Sequence, residues 1–290
     1  MKKQTNSPGA ADILRYTAFS SDPSCGNPAG VVLDASALDD SARLAIAAEL
    51  GYSETAFLTA PPEGLGEPGR AFTLRFFSPL AEVSFCGHAT VATAVALAER
   101  RGPGEFVFAT PVGTVPVEVD EQLRATLTSV DPHTEEVPAP ALTEALSALN
   151  WQPADLDPTF PIRIAYAGAR HLILAAATRE RLSDLDYDFD RLAALMRAHD
   201  LTTVQLVWRE SEKVFHVRDP FPVGGVVEDP ATGAAAAALG AYLREHGLVG
   251  AAARLTLHQG ADMGRPGLLG VELREGDRRV RVSGTATRIA

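Results

Sequence analysis

The chain has 290 residues, 46% of them hydrophobic and 22% charged, which suits a soluble globular protein of about two domains and excludes disordered and fibrous classes. Lys and Arg total 26 against 37 Asp and Glu, a net charge of −11 that repels nucleic acid and anionic membrane, so an anionic ligand needs a local device to hold it. Two cysteines, Cys25 and Cys86, supply neither a disulfide framework nor a zinc centre of three or four thiolates, so no metal is expected and a reducing cytoplasm fits.

Residues 13–19 alternate like a strand, and after the turn-rich SSDPSCGNPAG an apolar run at 31–33 resumes one. The spacing of Leu38, Leu44, Ile46, Ala47 and Leu50 predicts a helix over 36–50, closed by Gly51. Strands follow at 55–58 and 71–77, separated by PPEGLGEPG. There Gly64, Gly66 and Gly69 match the G-x-G-x-x-G spacing of dinucleotide sites. Prolines precede them and a strand follows, where a strand and then a helix are required, so they read as a flexible connection. Residues 86–101 (CGHATVATAVALAERR) form a helix that is small and apolar nearly all round, hence buried on every face. Strands at 106–109, 115–119 and 123–130 end the first half, and the polar, proline-bearing stretch 132–140 reads as the domain linker.

The second half repeats the plan. It has a helix at 141–149, strands at 162–166 and 171–177, a helix at 188–199 and a hairpin of 204–209 against 214–218. A second alanine-rich helix ends at Gly247, and strands at 255–258, 268–274 and 279–283 follow. No β-α-β alternation of the doubly wound kind is evident. No apolar run reaches the 18 residues of a membrane span, and residues 1–11 read as a frayed tail without the apolar stretch of a signal peptide.

FCGHATVATAVALAERRG and EDPATGAAAAALGAYLREHG share an order of turn, Ala-Thr, small apolar helix, Arg and Gly at corresponding places, which reads as a duplicated domain. Each helix start carries unpartnered backbone N–H groups and about half a positive charge, and Gly87 and Gly233 let an anion approach that backbone. The alternative is that these glycines serve only tight turns and helix packing. His88, in the first turn of an apolar helix, is expected neutral with a lowered pKa, able to give or take a proton, or else to be a core histidine bonded to backbone. Asp229, just before Pro230, suits a helix cap, which is compatible with catalysis. Glu54 opens the apolar strand SETAFL beside Tyr52 and Phe57. It is either a partly desolvated base with a raised pKa, suited to carbon acids, or a solvated carboxylate at a strand edge.

Four motifs, Gly26-Asn27-Pro28-Ala29-Gly30-Val31, Ser53-Glu54-Thr55-Ala56-Phe57, Phe85-Cys86-Gly87-His88-Ala89-Thr90 and Glu228-Asp229-Pro230-Ala231-Thr232-Gly233, resemble in order and spacing those of the PhzF-like (phenazine biosynthesis-like) family. The resemblance implies an α+β fold of the diaminopimelate epimerase type: two similar domains, each a curved, mostly antiparallel sheet wrapped around a central apolar helix, with the active site in the cleft between them. The domains are expected at 12–131 and 132–279, with 280–290 returning to the first. The resemblance also implies a homodimeric, cofactor-independent isomerase. Glu54 matches the glutamate that moves a proton between carbons of a cyclic dihydro-hydroxyanthranilate, and His88 and Asp229 match its polar partners. Gly87, Ala89, Gly233, Ala234 and Cys86 fall at the substrate-side positions. Ala234 stands where the pathway enzyme has a serine, which removes one hydroxyl contact, and Cys86 stands where it has an alanine. Cys86 coincides with the first thiol of the two-cysteine epimerases and racemases of this fold, whose second thiol would fall at Pro230, so two-thiol chemistry is disfavoured.

The expected function is therefore proton transfer on a small carboxylate-bearing substrate with Glu54 as acid and base, without nucleic-acid or membrane partners. A racemase or epimerase using Cys86 as one base, and a binding protein that retains the fold without turnover, are the alternatives. The catalytic reading requires that Glu54, His88 and Asp229 converge on one cleft.

Overall fold

The computed structural model describes residues 12–290, so the tail expected over 1–11 lies outside the described residues. In chain order the first half comprises β1 (Ile13–Ala18), β2 (Asn27–Val32), α1 (Asp40–Leu50), β3 (Glu54–Thr59), β4 (Ala71–Phe77), β5 (Glu82–Val83), α2 (Gly87–Arg101), β6 (Gly104–Thr110), β7 (Gly113–Val119) and β8 (Ala125–Thr128). There follow β9 (His133–Glu136), α3 (Ala139–Ala148), β10 (Arg163–Tyr166), β11 (Arg170–Ala175), α4 (Arg179–Ser183), α5 (Phe189–Ala198), β12 (Thr203–Arg209) and β13 (Val214–Pro220). The chain ends with β14 (Glu228–Asp229), α6 (Gly233–Glu245), β15 (Ala253–Gln259), β16 (Gly267–Leu273), β17 (Val280–Gly284) and β18 (Ala286–Arg288). None of the described helices is long and apolar enough to cross a membrane.

The two halves repeat each other strand for strand. β1 runs antiparallel to β2, β2 parallel to β3, β3 antiparallel to β4 and β4 parallel to β6. The same sequence of pairings recurs as β10 with β11, β11 with β12, β12 with β13 and β13 with β15. The repeat extends to side chains. Arg75 grips Glu82 through Nε and Nη2 at 2.7 and 2.6 Å, and Arg218 grips Glu228 through the same atoms at 2.9 and 2.5 Å. Both pairs sit at the same register, where β4 meets β5 and β13 meets β14.

The sheet is mostly antiparallel, as expected, with four parallel pairings, each connected through helix. A parallel neighbour needs a crossover that carries the chain back along the sheet, and here α1, α2, the α4–α5 pair and α6 provide it. The stretch 132–140 is not a bare linker: His133–Glu136 is a strand paired with β10. Its polar side chains belong to a strand at the margin of the sheet, held by backbone hydrogen bonds with little burial.

α2 and α6 each run inside the curl of their own half. Residues 87–98 of α2 and 233–243 of α6 are all buried, as expected of helices without a polar face. Small side chains let the strands close in, and at Gly240 an added Cβ would stand 2.7 Å from Val271 Cγ1. The outer helices α3 and α5 cover the other face of the second half through Ala145, Ala148, Leu192 and Met196. β17 is shared, paired with β16 on one edge and with β8 on the other, and β18 pairs with β1.

Candidate active site

Period-two alternation places Glu54 on the same inward face of β3 as Ala56 and Leu58, at the end of the strand nearest the start of α2. The chain reaches that point because α1 stops at Gly51, whose left-handed φ of 66° turns it, while its N–H bonds the Ala47 carbonyl. Cys86 is the residue before α2 and His88 the second residue in it. Asp229 ends β14, and Asn27 begins β2.

These side chains, all buried, meet. His88 Nε2 lies 3.5 Å from Glu54 Oε2, and Cys86 Sγ lies 3.6 Å from the same oxygen. The Asn27 amide donates to Asp229 Oδ1 at 2.7 Å and to the Ala231 carbonyl at 3.0 Å, and stands 3.0 Å from His88 Nδ1. Thr232 donates its hydroxyl to Asp229 Oδ2 at 2.6 Å, and Gln259 donates to the Asp229 carbonyl at 2.8 Å. Ser53 lies 3.4 Å from both Asn27 Oδ1 and His88 Nε2.

Burial governs the charge states. It raises Glu54 from its ordinary 4.5 to about 8, with the Asp229 charge adding to the effect and the Ser53 and Cys86 hydrogen bonds opposing it. Burial likewise lowers His88 to about 3 and raises Asp229 to about 6, the latter against hydrogen bonds from Thr232 and Asn27. The 3.5 Å approach of His88 to Glu54 is therefore a contact of neutral groups near pH 7. The Cys86 thiol is pushed up by burial and by Glu54, so it resists ionisation.

Glu54, Phe85, Cys86, Gly87, His88, Thr202, Thr203, Phe221, Asp229, Thr232, Gly233 and Ala234 line a cavity of about 20 Å³, the size of a single water. The starts of α2 and α6 meet there, and a Cβ on Gly87 would stand 2.8 Å from Gly233 Cα. Tight packing between the helix ends is thus sufficient reason for both glycines. α1, α4 and α5 have a side-chain cap, whereas α2 and α6 have none. No side-chain oxygen caps the first N–H groups of either helix, although the Ala89 amide faces the Cys86 sulfur.

Glu54, Cys86 and His88 are the one group of three metal-ligating side chains found among the described residues. They do not converge on a metal. Sγ lies 3.3 Å from Nδ1 and 3.8 Å from Nε2 of His88, which puts the sulfur beside the ring rather than around the tip of an in-plane lone pair, and Asn27 occupies Nδ1.

Glu54, His88 and Asp229, singled out in the sequence, lie around one cavity with Cys86, Gly87, Gly233 and Ala234. Ala89 does not line it, and its amide faces the Cys86 sulfur. Sequence reasoning assigned no role to Asn27, Ser53 or Thr232, although all three stand inside the quoted motifs. Thr202, Thr203, Phe221 and Gln259 lie outside those motifs and enter the site only through the fold.

The chain is similar throughout its length to known proteins. It is 32% identical over 258 residues to trans-2,3-dihydro-3-hydroxyanthranilate isomerase of Pseudomonas fluorescens, covering 87% of this chain and 86% of that protein. It is 32% identical over 289 residues to the uncharacterized isomerase YddE of Escherichia coli K12, covering 94% and 95%. Among solved structures, a predicted epimerase of Pseudomonas aeruginosa superimposes with a TM-score of 0.82 at 29% identity over 96% of each chain. A probable proline racemase of Agrobacterium radiobacter K84 has a TM-score of 0.69 at 10% identity, over 96% of this chain and 91% of that one, and shares the fold. The model of the phenazine biosynthesis-like (PhzC-PhzF) proteins matches residues 16–290, and this chain belongs to that family.

Proposed function

We propose that this isomerase moves a proton between carbon atoms of a small carboxylate-bearing substrate, with Glu54 as its single acid–base group, in the cytoplasm and without a cofactor. The observation that carries the reading is the setting of Glu54: a buried carboxyl at the wall of the interdomain cavity, brought by burial to about 8. A group so close to neutrality both takes and returns a proton efficiently. As carboxylate it removes a proton from one carbon, and as carboxylic acid it delivers that proton to another. Glu54 is regenerated and the composition of the substrate is unchanged.

The uncapped starts of α2 and α6 supply N–H groups for the substrate carboxylate in a protein whose net charge would otherwise repel it. Neutral His88, hydrogen-bonded to Asn27 and in contact with Glu54, and Asp229, fixed by Asn27 and Thr232, orient the substrate. Ala234 offers no hydroxyl there.

The compound named for the Pseudomonas fluorescens relative, trans-2,3-dihydro-3-hydroxyanthranilate, is the first probe. In deuterium oxide the wild type is expected to turn it over and place deuterium on carbon. Glu54→Gln lowers that rate by about a thousandfold with an unchanged circular dichroism spectrum. Full exchange by Glu54→Gln, together with its loss in Cys86→Ala, would move the chemistry to the thiol. Absence of turnover across a screen of small carboxylates by the wild type would favour a binding protein.

A further inference from the structure

The cavity has a second polar wall that the proton transfer leaves unused. Because the halves repeat, each position in one has a counterpart in the other. Ala29 pairs with Glu54 where β2 meets β3, and His171 pairs with Thr203 where β11 meets β12. Thr203 is thus the counterpart of Glu54, each opening its strand and each lining the cavity.

By the same registers Ala29, Ala56 and Phe76 of the first half correspond to His171, Gln205 and Asp219 of the second. All six are buried. The first half fills these places with apolar side chains, so the fold does not require polar ones. In the second half His171 and Asp219 are linked through Thr203, whereas the Gln205 amide has no hydrogen-bond partner among the described residues. His171 Nδ1 lies 2.8 Å from Thr203 Oγ1, which donates to Asp219 Oδ1 at 2.8 Å. His171 Nε2 is buried with no hydrogen-bond partner among the described residues, a cost that calls for a use. Burial lowers His171 to about 3 and pushes Asp219 well above its ordinary value, against the hydrogen bond from Thr203.

A hydroxyl has one hydrogen and two lone pairs. That of Thr203 gives its hydrogen to Asp219 and accepts from His171 Nδ1–H, which leaves one lone pair free. We propose that Thr203 is a substrate-contacting residue opposite Glu54, held by Asp219 and His171 as positioning residues, and that its free lone pair accepts a hydrogen bond from an amino or hydroxyl substituent of the substrate. This inference rests on the small-carboxylate isomerase reading and specifies its substrate: a carboxylate that also carries a donor group on the side away from the base.

Two aromatic carboxylates differing only in that donor test it: anthranilate, which has an amino group beside the carboxylate, and benzoate, which has none. Their dissociation constants, measured by calorimetry on the full chain, are expected to differ by about tenfold in the wild type, anthranilate binding more tightly. Thr203→Val, nearly the same shape, is expected to abolish the difference while benzoate binds as before. Thr203→Ser should restore it, and Asp219→Asn should reduce it. A structural role alone would weaken both ligands together. An unchanged ratio in Thr203→Val, or no preference in the wild type, overturns the proposal and leaves the isomerase reading standing. A wild type that binds neither compound overturns the proposal along with its premise, whereas failure of the Glu54 test with the anthranilate preference intact removes the base assignment alone.

Discussion

The burial that raises the Glu54 carboxyl also makes the protein's stability depend on pH. The unfolded chain releases this proton near 4.5, whereas the folded protein holds it to about 8. Below 4.5 both states are protonated and the group is neutral to stability. Between 4.5 and 8 the unfolded state binds fewer protons, so stability falls as pH rises, and above 8 the loss is complete. Glu54→Gln removes this term. Its melting temperature is expected to rise above that of the wild type by an amount that grows from pH 5 to pH 8 and then levels off, as differential scanning calorimetry would show. A constant gap would mean that Glu54 is not desolvated. Catalysis by the carboxylate should run the other way, increasing as pH rises through about 8. The residues of the proposed site could be singled out because each stands in a motif: Glu54 opening an apolar strand, His88 in the first turn of a mostly apolar helix, Asp229 before a proline. Asn27 was not, since an Asn before Pro reads as turn chemistry until the fold brings Asp229, 202 positions away, against its amide. Thr203 and Gln259 carry no local signal at all.

At the scale of elements, the two arginine–glutamate clasps share geometry and differ in surroundings. The side chains of Arg218 and Glu228 are 9% and 4% exposed, those of Arg75 and Glu82 26% and 36%. Removing one partner of a buried pair strands a charge without solvent, at a cost of about 3–5 kcal/mol, whereas an exposed pair is worth about 1 kcal/mol or less. Glu228→Ala is therefore expected to destabilise the protein severalfold more than Glu82→Ala, measured as the shift in urea unfolding midpoint at constant m. Equal shifts would show that burial does not distinguish the two. The buried helices were readable from composition, because α2 and α6 carry no charged side chain before their last turn. The end of α1 was readable from Gly51. The four parallel pairings were not, because strand direction leaves no mark on a run of four to seven residues, and the strand His133–Glu136 was hidden by its polarity.

For the whole molecule, the cavity decides what must move. Ligand pockets for small molecules run from about 300 Å³ upward, and the space beside Glu54 is about 20 Å³. If the substrate binds there, the ends of α2 and α6 are expected to part to admit it. Cys86, buried in that cavity, and Cys25, half-exposed outside it, report the motion. Alkylation followed by mass spectrometry is expected to modify Cys25 first and Cys86 slowly, with anthranilate protecting Cys86 alone. Equal rates at the two thiols would mean that the cavity is open in solution.

The shared strand β17 also sets a timetable for synthesis. β8 finds its partner only in residues 281–284, and β1 meets β18 at 286–288. A nascent chain that has released its entire first half still has two strand edges without neighbours, and they stay bare while more than 150 further residues are made. Such edges template aggregation, and late long-range pairing slows folding. The polypeptide would therefore be most vulnerable on the ribosome shortly before its synthesis reaches residue 284, and most in need of a chaperone at that time.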